Sequence, residues 1–406
     1  AEYKVAGVLQ EDGSYKFTED SKITVTASGA KAIDLQKSTN IDAANKTLTL
    51  SVTKDTDFAT VKAINVTAPG EYQITADKIV IDANASDNTR VEGISASTYD
   101  VSSKINLTVN GDVDITTTNK NNYNLGIYAM GNTKVDVNGK LNINLNSTAA
   151  NYYETSGIYA GGSLNWSNKD NNRGSEVNIN GDVNVSGNGN GVLASYAGSV
   201  ANLNGNTTIV ATDAGKMSVA AQSGTVNVNV VKGFAGDKTV KLTGNVGLIG
   251  GAVNPSETVK ETTINLGLTN DKSFLTGVIY DGFTDGDKAA GYTANANIWL
   301  QNGAIWNNEL ASAVVSDEWG TYPEFAGSHV TTFKGGASAA AAGNIYQNDS
   351  NALTIDNYSG VTNVFYANNA NGDFSAYGDT IIKHAEEKSA INLITSSNGP
   401  LTSDSI

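Results

Sequence analysis

Residues 110–115 read Asn110-Gly111-Asp112-Val113-Asp114-Ile115, and this short phrase returns three times. The copies are Asn138-Gly139-Lys140-Leu141-Asn142-Ile143, Asn180-Gly181-Asp182-Val183-Asn184-Val185 and Asn204-Gly205-Asn206-Thr207-Thr208-Ile209. Each is an Asn-Gly turn leading into an alternating strand. A second phrase is interleaved with the first: Gly93-Ile94-Ser95-Ala96, Gly126-Ile127-Tyr128-Ala129, Gly157-Ile158-Tyr159-Ala160 and Gly191-Val192-Leu193-Ala194. Copies of either phrase lie 24 to 42 residues apart. Units of that length cannot bury an apolar face alone and must stack on their neighbours. The shorter spacings fit one turn of a coil; the longer ones fit turns that carry loops.

The strands between these turns have period two. In Ile105-Asn106-Leu107-Thr108-Val109, Leu141-Asn142-Ile143-Asn144-Leu145 and Val226-Asn227-Val228-Asn229-Val230, aliphatic residues alternate with Asn or Thr. One face is buried and the other is polar. Stacking such turns piles the aliphatic residues inside and sets the polar ones in outward ladders. An antiparallel sandwich is the rival, but the period is too long for a simple hairpin repeat, and no propeller-blade signature occurs. The reading is an all-β fold, a parallel β-helix (solenoid) with loop insertions. Residues 1–90 form an N-terminal cap and the first, shorter turns, 91–290 the central coil with its loops, and 291–406 the C-terminal turns.

Composition agrees. The 406 residues include 50 Asn, 42 Gly and four Pro, so turns are plentiful and strand breakers rare. There is no cysteine, and disulfides contribute nothing to stability. A net charge of −15, with Arg90 and Arg173 the only arginines, excludes a nucleic-acid partner. No apolar run reaches the ~20 residues of a membrane-spanning helix, and no leader sequence is seen, which fits a cytosolic chain or one whose leader was removed. Ala1 fits a chain left after leader removal and equally an arbitrary cut, and Ser403-Asp404-Ser405-Ile406 reads as a cut through a longer protein.

From about residue 295 the chain resembles a known family. Asn297-Ile298-Trp299-Leu300-Gln301-Asn302-Gly303-Ala304-Ile305-Trp306, followed by Leu353-Thr354-Ile355-Asp356-Asn357-Tyr358-Ser359-Gly360, is similar to consecutive turns near the C-terminal end of bacterial autotransporter passengers. The Asn-Gly turns earlier resemble the same family's coil. The resemblance implies a right-handed β-helix, exported and extracellular, held at the cell surface by an outer-membrane barrel that this chain lacks. It also implies that the turns beyond about residue 290 fold first. Passengers of this family act as adhesins, aggregation factors, proteases, lipases or toxins.

A catalytic role finds little in the residues. No Gly-x-Ser-x-Gly occurs, and the only histidines are His329 and His384, each readable as a general base or, more plainly, as a surface or turn histidine. Carboxylates recur at Asp55 and Asp57 and at Asp112 and Asp114. The latter two point the same way on a strand, so that pair is geometrically possible for a glycosidase, or for a lyase if a basic group stood beside it, though aspartates after an Asn-Gly turn are commonplace. Lys140 replaces Asp112 in the next phrase. Asp281, Asp285 and Asp287 share seven residues with glycines, a calcium-like density without a complete loop motif. We expect no catalytic residue, no metal and no cofactor.

Binding is the remaining expectation. The outward Asn/Thr ladders offer hydrogen-bonding arrays, and aromatics gather in interruptions of the coil. Tyr152 and Tyr153 fall in one polar insertion, Trp166 and Arg173 in another, and these four are the candidate contact residues. Trp299 and Trp306 read as caps on turns, while Trp319 and Tyr322 follow them. The expected function is non-catalytic adhesion or self-association: attachment to a host or bacterial surface, protein or glycan, and biofilm formation. The alternatives are a β-helical polysaccharide lyase or glycosidase, and a stalk that presents another domain.

Overall fold

The computed structural model describes residues 7–54, 59–85, 89–120, 123–147, 154–163, 173–250, 261–314, 324–366 and 378–395. Strand accounts for 65% and helix for 2%, so the chain is all-β. Its long-range pairing is parallel, and each partner lies one repeat away. Val113 pairs with Leu141, Leu141 with Val183, and Val183 with Thr207, which joins the four Asn-Gly strands in sequence order. The fold is a parallel β-solenoid.

Three faces enclose the core. The first stacks Thr133–Val137, Glu176–Ile179, Val200–Leu203 and Thr225–Val228. The second stacks Leu141–Ser147, Val183–Gly187 and Thr207–Val210. The third stacks Val91–Thr98, Asn124–Gly131, Ser156–Ser163 and Asn190–Ser195, which carry the second phrase. Period-two alternation turns Val135, Val137, Leu141, Ile143 and Leu145 inward, where they meet Ile127 and Ala129 of the third face in one continuous cluster. That cluster runs from Phe17 to Tyr366, so the core is a column of aliphatic layers rather than a ball.

Both glycine phrases are explained by this stacking. At the corner between the first two faces, a Cβ on Gly139 would overlap the carbonyl oxygen of Gly111, one on Gly181 that of Gly139, and one on Gly205 that of Gly181. Successive turns therefore touch backbone on backbone there, and only glycine permits it. On the third face, a Cβ on Gly93 would lie 2.7 Å from Ile115 Cγ2, and one on Gly126 2.8 Å from Ile143 Cγ2. Here the glycine makes room both for the carbonyl oxygen of the next turn's glycine, 2.6 Å from such a Cβ on Gly93 and 2.5 Å from one on Gly126, and for an isoleucine arriving from the second face. Ile94 and Ala96 then continue the inward column.

Two regions differ from expectation. The first turns are not short: Ile33, Ile64 and Ile94 share one column, and Thr39–Lys54, Gly70–Ala85 and Ile105–Asn119 are the longest strands among the described residues. All three strands run through the corner unbroken; in Thr39–Lys54 and Gly70–Ala85 a register shift at Ala43/Thr47 or Thr75/Lys78 does the work of the Asn-Gly turn, which Ile105–Asn119 already carries at Asn110-Gly111. An antiparallel pair, Gly7–Leu9 with Tyr15–Phe17, precedes them. At the other end Ile279–Gly282 is the last strand of the third face among the described residues. Beyond it, Leu353–Ser359 on the first face and Gly343–Gln347 on the second are joined by residues 348–352 alone.

The corner contact gives a direct test. Gly139→Ala should destabilise the chain by about 1–3 kcal/mol, the usual cost of forcing atoms into a filled site, read as a lower urea midpoint. An unchanged midpoint would show that the corner has room.

Candidate functional site

The outward side chains of the first face form hydrogen-bonded amide ladders. Asn178 Nδ2 donates to Asp136 Oδ1 at 2.7 Å, and Asn202, Asn227, Asn265 and Asn297 each donate to the Oδ1 of the residue one turn earlier at 2.8 Å. A second ladder follows the corner asparagines: Asn138 donates to Asn110, Asn180 to Asn138 and Asn204 to Asn180, at 2.7 to 2.9 Å. A third on the opposite face links Asp114, Asn142 and Asn184 at 2.9 Å. Asparagine suits this role because its amide donates up one rung and accepts from the other, and identical side chains meet at one spacing.

One feature interrupts the ladder surface. After Val228 the corner does not turn on Asn-Gly; instead Val230–Val231 and Phe234–Ala235 form a two-residue hairpin that projects from it. Its turn residues, Lys232 and Gly233, have φ of 51° and 80°, the left-handed pair of a tight type I′ turn. Asn229 fixes the base. Buried and itself at φ 54°, it donates from Nδ2 to the carbonyls of Gly236, Lys238 and Gly267 at 3.0 to 3.3 Å and accepts from the Lys238 amide at 3.1 Å. The tip is apolar and bare, with Phe234 78% exposed and Val231 56% exposed, flanked by exposed Lys232 and Lys238. Isolated apolar residues on a surface are ordinary; a paired set on a pinned hairpin has the form of a contact element. In the sequence, residues 233–236 read as a glycine-rich connection. The missed signal was Val-Lys-Gly-Phe, two apolar residues around a left-handed pair.

The residues singled out from sequence have these places. Tyr152, Tyr153, Trp166, Trp319, Tyr322, Asp55 and Asp57 lie outside the described residues. Arg173 is half-buried in the short strand Arg173–Gly174, antiparallel to Ser163 and Gly162 at the edge of the third face. Trp306 is no cap: it stacks between Leu275 and Ile345 in the core, its Nε1 donating to the Gly277 carbonyl at 2.9 Å. Trp299 points outward, but only 9% of it is exposed, and Lys334 Nζ lies 4.9 Å from its ring. Arg90 is drawn in between the Tyr123 and Tyr128 rings, 5.3 and 4.7 Å from their centres.

The carboxylates and histidines are largely taken up in bonds between turns. Asp112 Oδ1 accepts the Lys140 amide at 2.8 Å, and Asp114 binds Lys78 Nζ at 2.8 Å. His384 is exposed. His329 lies between two carboxylates, Nδ1 3.0 Å from Asp281 Oδ2 and Nε2 2.9 Å from Asp356 Oδ2. Asp285 and Asp287 open the one-turn helix Asp285–Ala289, where Asp287 closes a capping box with Thr284. The acidic cluster is thus divided among separate tasks, and no group of three metal-ligating side chains occurs among the described residues. A polar cleft of about 360 Å³ lies near the N-terminal hairpin, with Asp12, Asn40, Glu71 and Gln73 among its lining residues.

No helix among the described residues is long and apolar enough to cross a membrane. No family model matches the chain, and it matches no curated protein and no solved structure.

Two substitutions separate the hairpin's base from its tip. Asn229→Ala should cost about 1–3 kcal/mol, because it strips the buried Gly267 carbonyl and two part-buried carbonyls of their donor. Phe234→Ser should stay within about 0.5 kcal/mol of the parent. Equal urea midpoints for the two variants would contradict the assignment.

Proposed function

We propose that this chain is the β-solenoid body of an autotransporter-type bacterial surface adhesin, non-catalytic, whose outer face attaches to another surface or to another copy of itself. The projecting hairpin carries the reading. A soluble fold gains nothing from holding Phe234 rigidly in water, where burial against a partner would return roughly 1.5–3 kcal/mol. The amide ladders support it, since they keep two long faces polar and nearly flat while bonding among themselves. Partner classes are a protein or glycan on a host or bacterial cell, or a second copy; nucleic acid is disfavoured by the net charge of −15. An extracellular location and a role in biofilm formation follow from the family resemblance alone.

A second reading, a carbohydrate-active enzyme, has the N-terminal cleft as its place. Asp12 there is held by the Ser14 amide and hydroxyl at 2.9 and 2.6 Å, and Glu71 by Asn106 at 2.7 Å. Release of reducing ends from a polysaccharide panel, abolished by Glu71→Gln, would favour it.

For adhesion the test is attachment itself. Beads coated with the chain should clump or bind cultured epithelial cells and bacterial lawns, and Phe234→Asp should lower that by severalfold with the urea midpoint unchanged. Full attachment by Phe234→Asp would remove the hairpin from the account, and no attachment by the parent chain to any of these surfaces would remove adhesion.

A further inference from the structure

Among the described residues the last strand of the third face is Ile279–Gly282, and the next strand of the first face, Ser328–Lys334, begins a section with no described third-face strand. His329 stands at this seam. Four charged groups from the neighbouring elements face it in alternating sign: Asp281 from the last strand of the third face, Lys288 from the helix Asp285–Ala289, Asp356 from Leu353–Ser359 and Lys383 from Thr380–Ala385. Lys288 Nζ is 3.2 Å from Asp281 Oδ2, and Lys383 Nζ is 3.5 Å from Asp356 Oδ1. The line runs Lys288, Asp281, His329, Asp356, Lys383, with the imidazole at its centre.

Both ring nitrogens of His329 meet a carboxylate oxygen within 3.0 Å. A neutral imidazole has one N–H, so its other nitrogen would turn a lone pair on a carboxylate. Only the imidazolium satisfies both contacts. We infer that Asp281, His329 and Asp356 form a pH-sensitive latch that fastens the C-terminal section of the coil to the three-faced body, closed while His329 is protonated and loosened when it is not. Ser328 adds a neutral hook, its hydroxyl accepting the Ile279 amide at 3.1 Å and donating to Asn308 Oδ1 at 2.6 Å, so the latch tunes the seam rather than being its sole link.

The direction of the response follows from the groups. The hydrogen bond to Asp281 raises the His329 pKa; desolvation opposes it, and Asp356 adds to the rise. A folded-state value above the unfolded one means that the stabilisation is complete below the ordinary imidazole value of about 6.5. It is lost as pH climbs through the raised value. At the acid end, desolvation pushes Asp281 up, but bonds from His329, the Phe283 amide and Lys288 prevail and hold it below the usual carboxylate range. That contribution is lost as pH falls through the lowered value. The latch is therefore tightest in the mildly acidic window between the two.

Hydrogen exchange of the whole chain at pH 6 and pH 8.5, corrected for intrinsic rates, reads the latch directly. Burial lowers the Lys216 pKa to about 8, so His329→Gln, which keeps Lys216, separates that titration from the latch. Amides of Ile279–Gly282, Ser328–Lys334 and Leu353–Ser359 should lose protection by up to about tenfold per unit of pKa elevation on going to pH 8.5, while Val200–Leu203 stays constant. His329→Gln, always neutral, should abolish that pH dependence. Unchanged seam protection in the parent, or the same pH dependence in His329→Gln, would overturn the proposal. Should the variant fail to fold, NMR titration of the two histidines, with His384→Gln for assignment, still decides it. A His329 midpoint at or below about 6.5 would overturn the latch.

Discussion

The interaction on which everything else rests is the register between one turn and the next. Parallel strands meet at about 4.8 Å, and every atom at a corner must respect that spacing. The stacked glycines at 111, 139, 181 and 205 exist because a carbonyl oxygen of the preceding turn already fills the place of a Cβ. Once that contact fixes the height of a turn, like side chains fall above like. Inside, this gives columns of valine, isoleucine and leucine; outside, asparagine amides bonded rung to rung. Neither ladder nor core column would form if the register slipped by one residue, since alternation would invert.

The three faces do not share the work equally. The first and second are buried inside and polar outside. The third is buried on both sides: Leu125, Tyr159, Leu193, Ala220 and Tyr280 form a second apolar cluster on its outer surface, with Val314 and Phe325 packed against it. The chain around residue 312 is tied back across this face, Asn245 Nδ2 donating to the Ser312 carbonyl at 2.9 Å and the Gly215 amide to that of Ala313 at 2.8 Å. The surface open to a partner is therefore the pair of amide-laddered faces and the corner between them, where the hairpin projects. Beyond the last described strand of the third face, the described links on that side are side-chain bonds, and this is where His329 stands.

The sequence made the fold legible because the same physical demand repeats. Asn-Gly recurs where these corners pass a carbonyl, and Gly-(Ile/Val)-x-Ala where the third face makes room for a neighbouring carbonyl and a β-branched side chain, Ile115, Ile143, Val185 or Ile209. Long strands such as Gly70–Ala85 hid the same corner, because a register shift there needs no diagnostic dipeptide. The site was far less readable. Trp306 looked like a cap on a turn, yet it fills the core, because period-two alternation cannot say which aromatic outgrows its layer. Phe234 escaped notice because exposure depends on an element leaving the coil, and Asn229, which makes it leave, resembles every other asparagine in the chain. His329 gained its meaning only from Asp281 and Asp356, which lie 48 and 27 residues away in sequence.

Spin labels on this cysteine-free chain test the stacked register most directly. Gln73 and Asn357 are both exposed, and they sit in one outward column through Thr108, Asp136, Asn178, Asn202, Asn227, Asn265, Asn297 and Thr332. Labels on Gln73→Cys and Asn357→Cys should give a single narrow distance near 43 Å, the sum of nine strand spacings at about 4.8 Å each. A distance well under 30 Å, as two packed sheets would impose, or a broad distribution without a peak, would contradict the in-register solenoid.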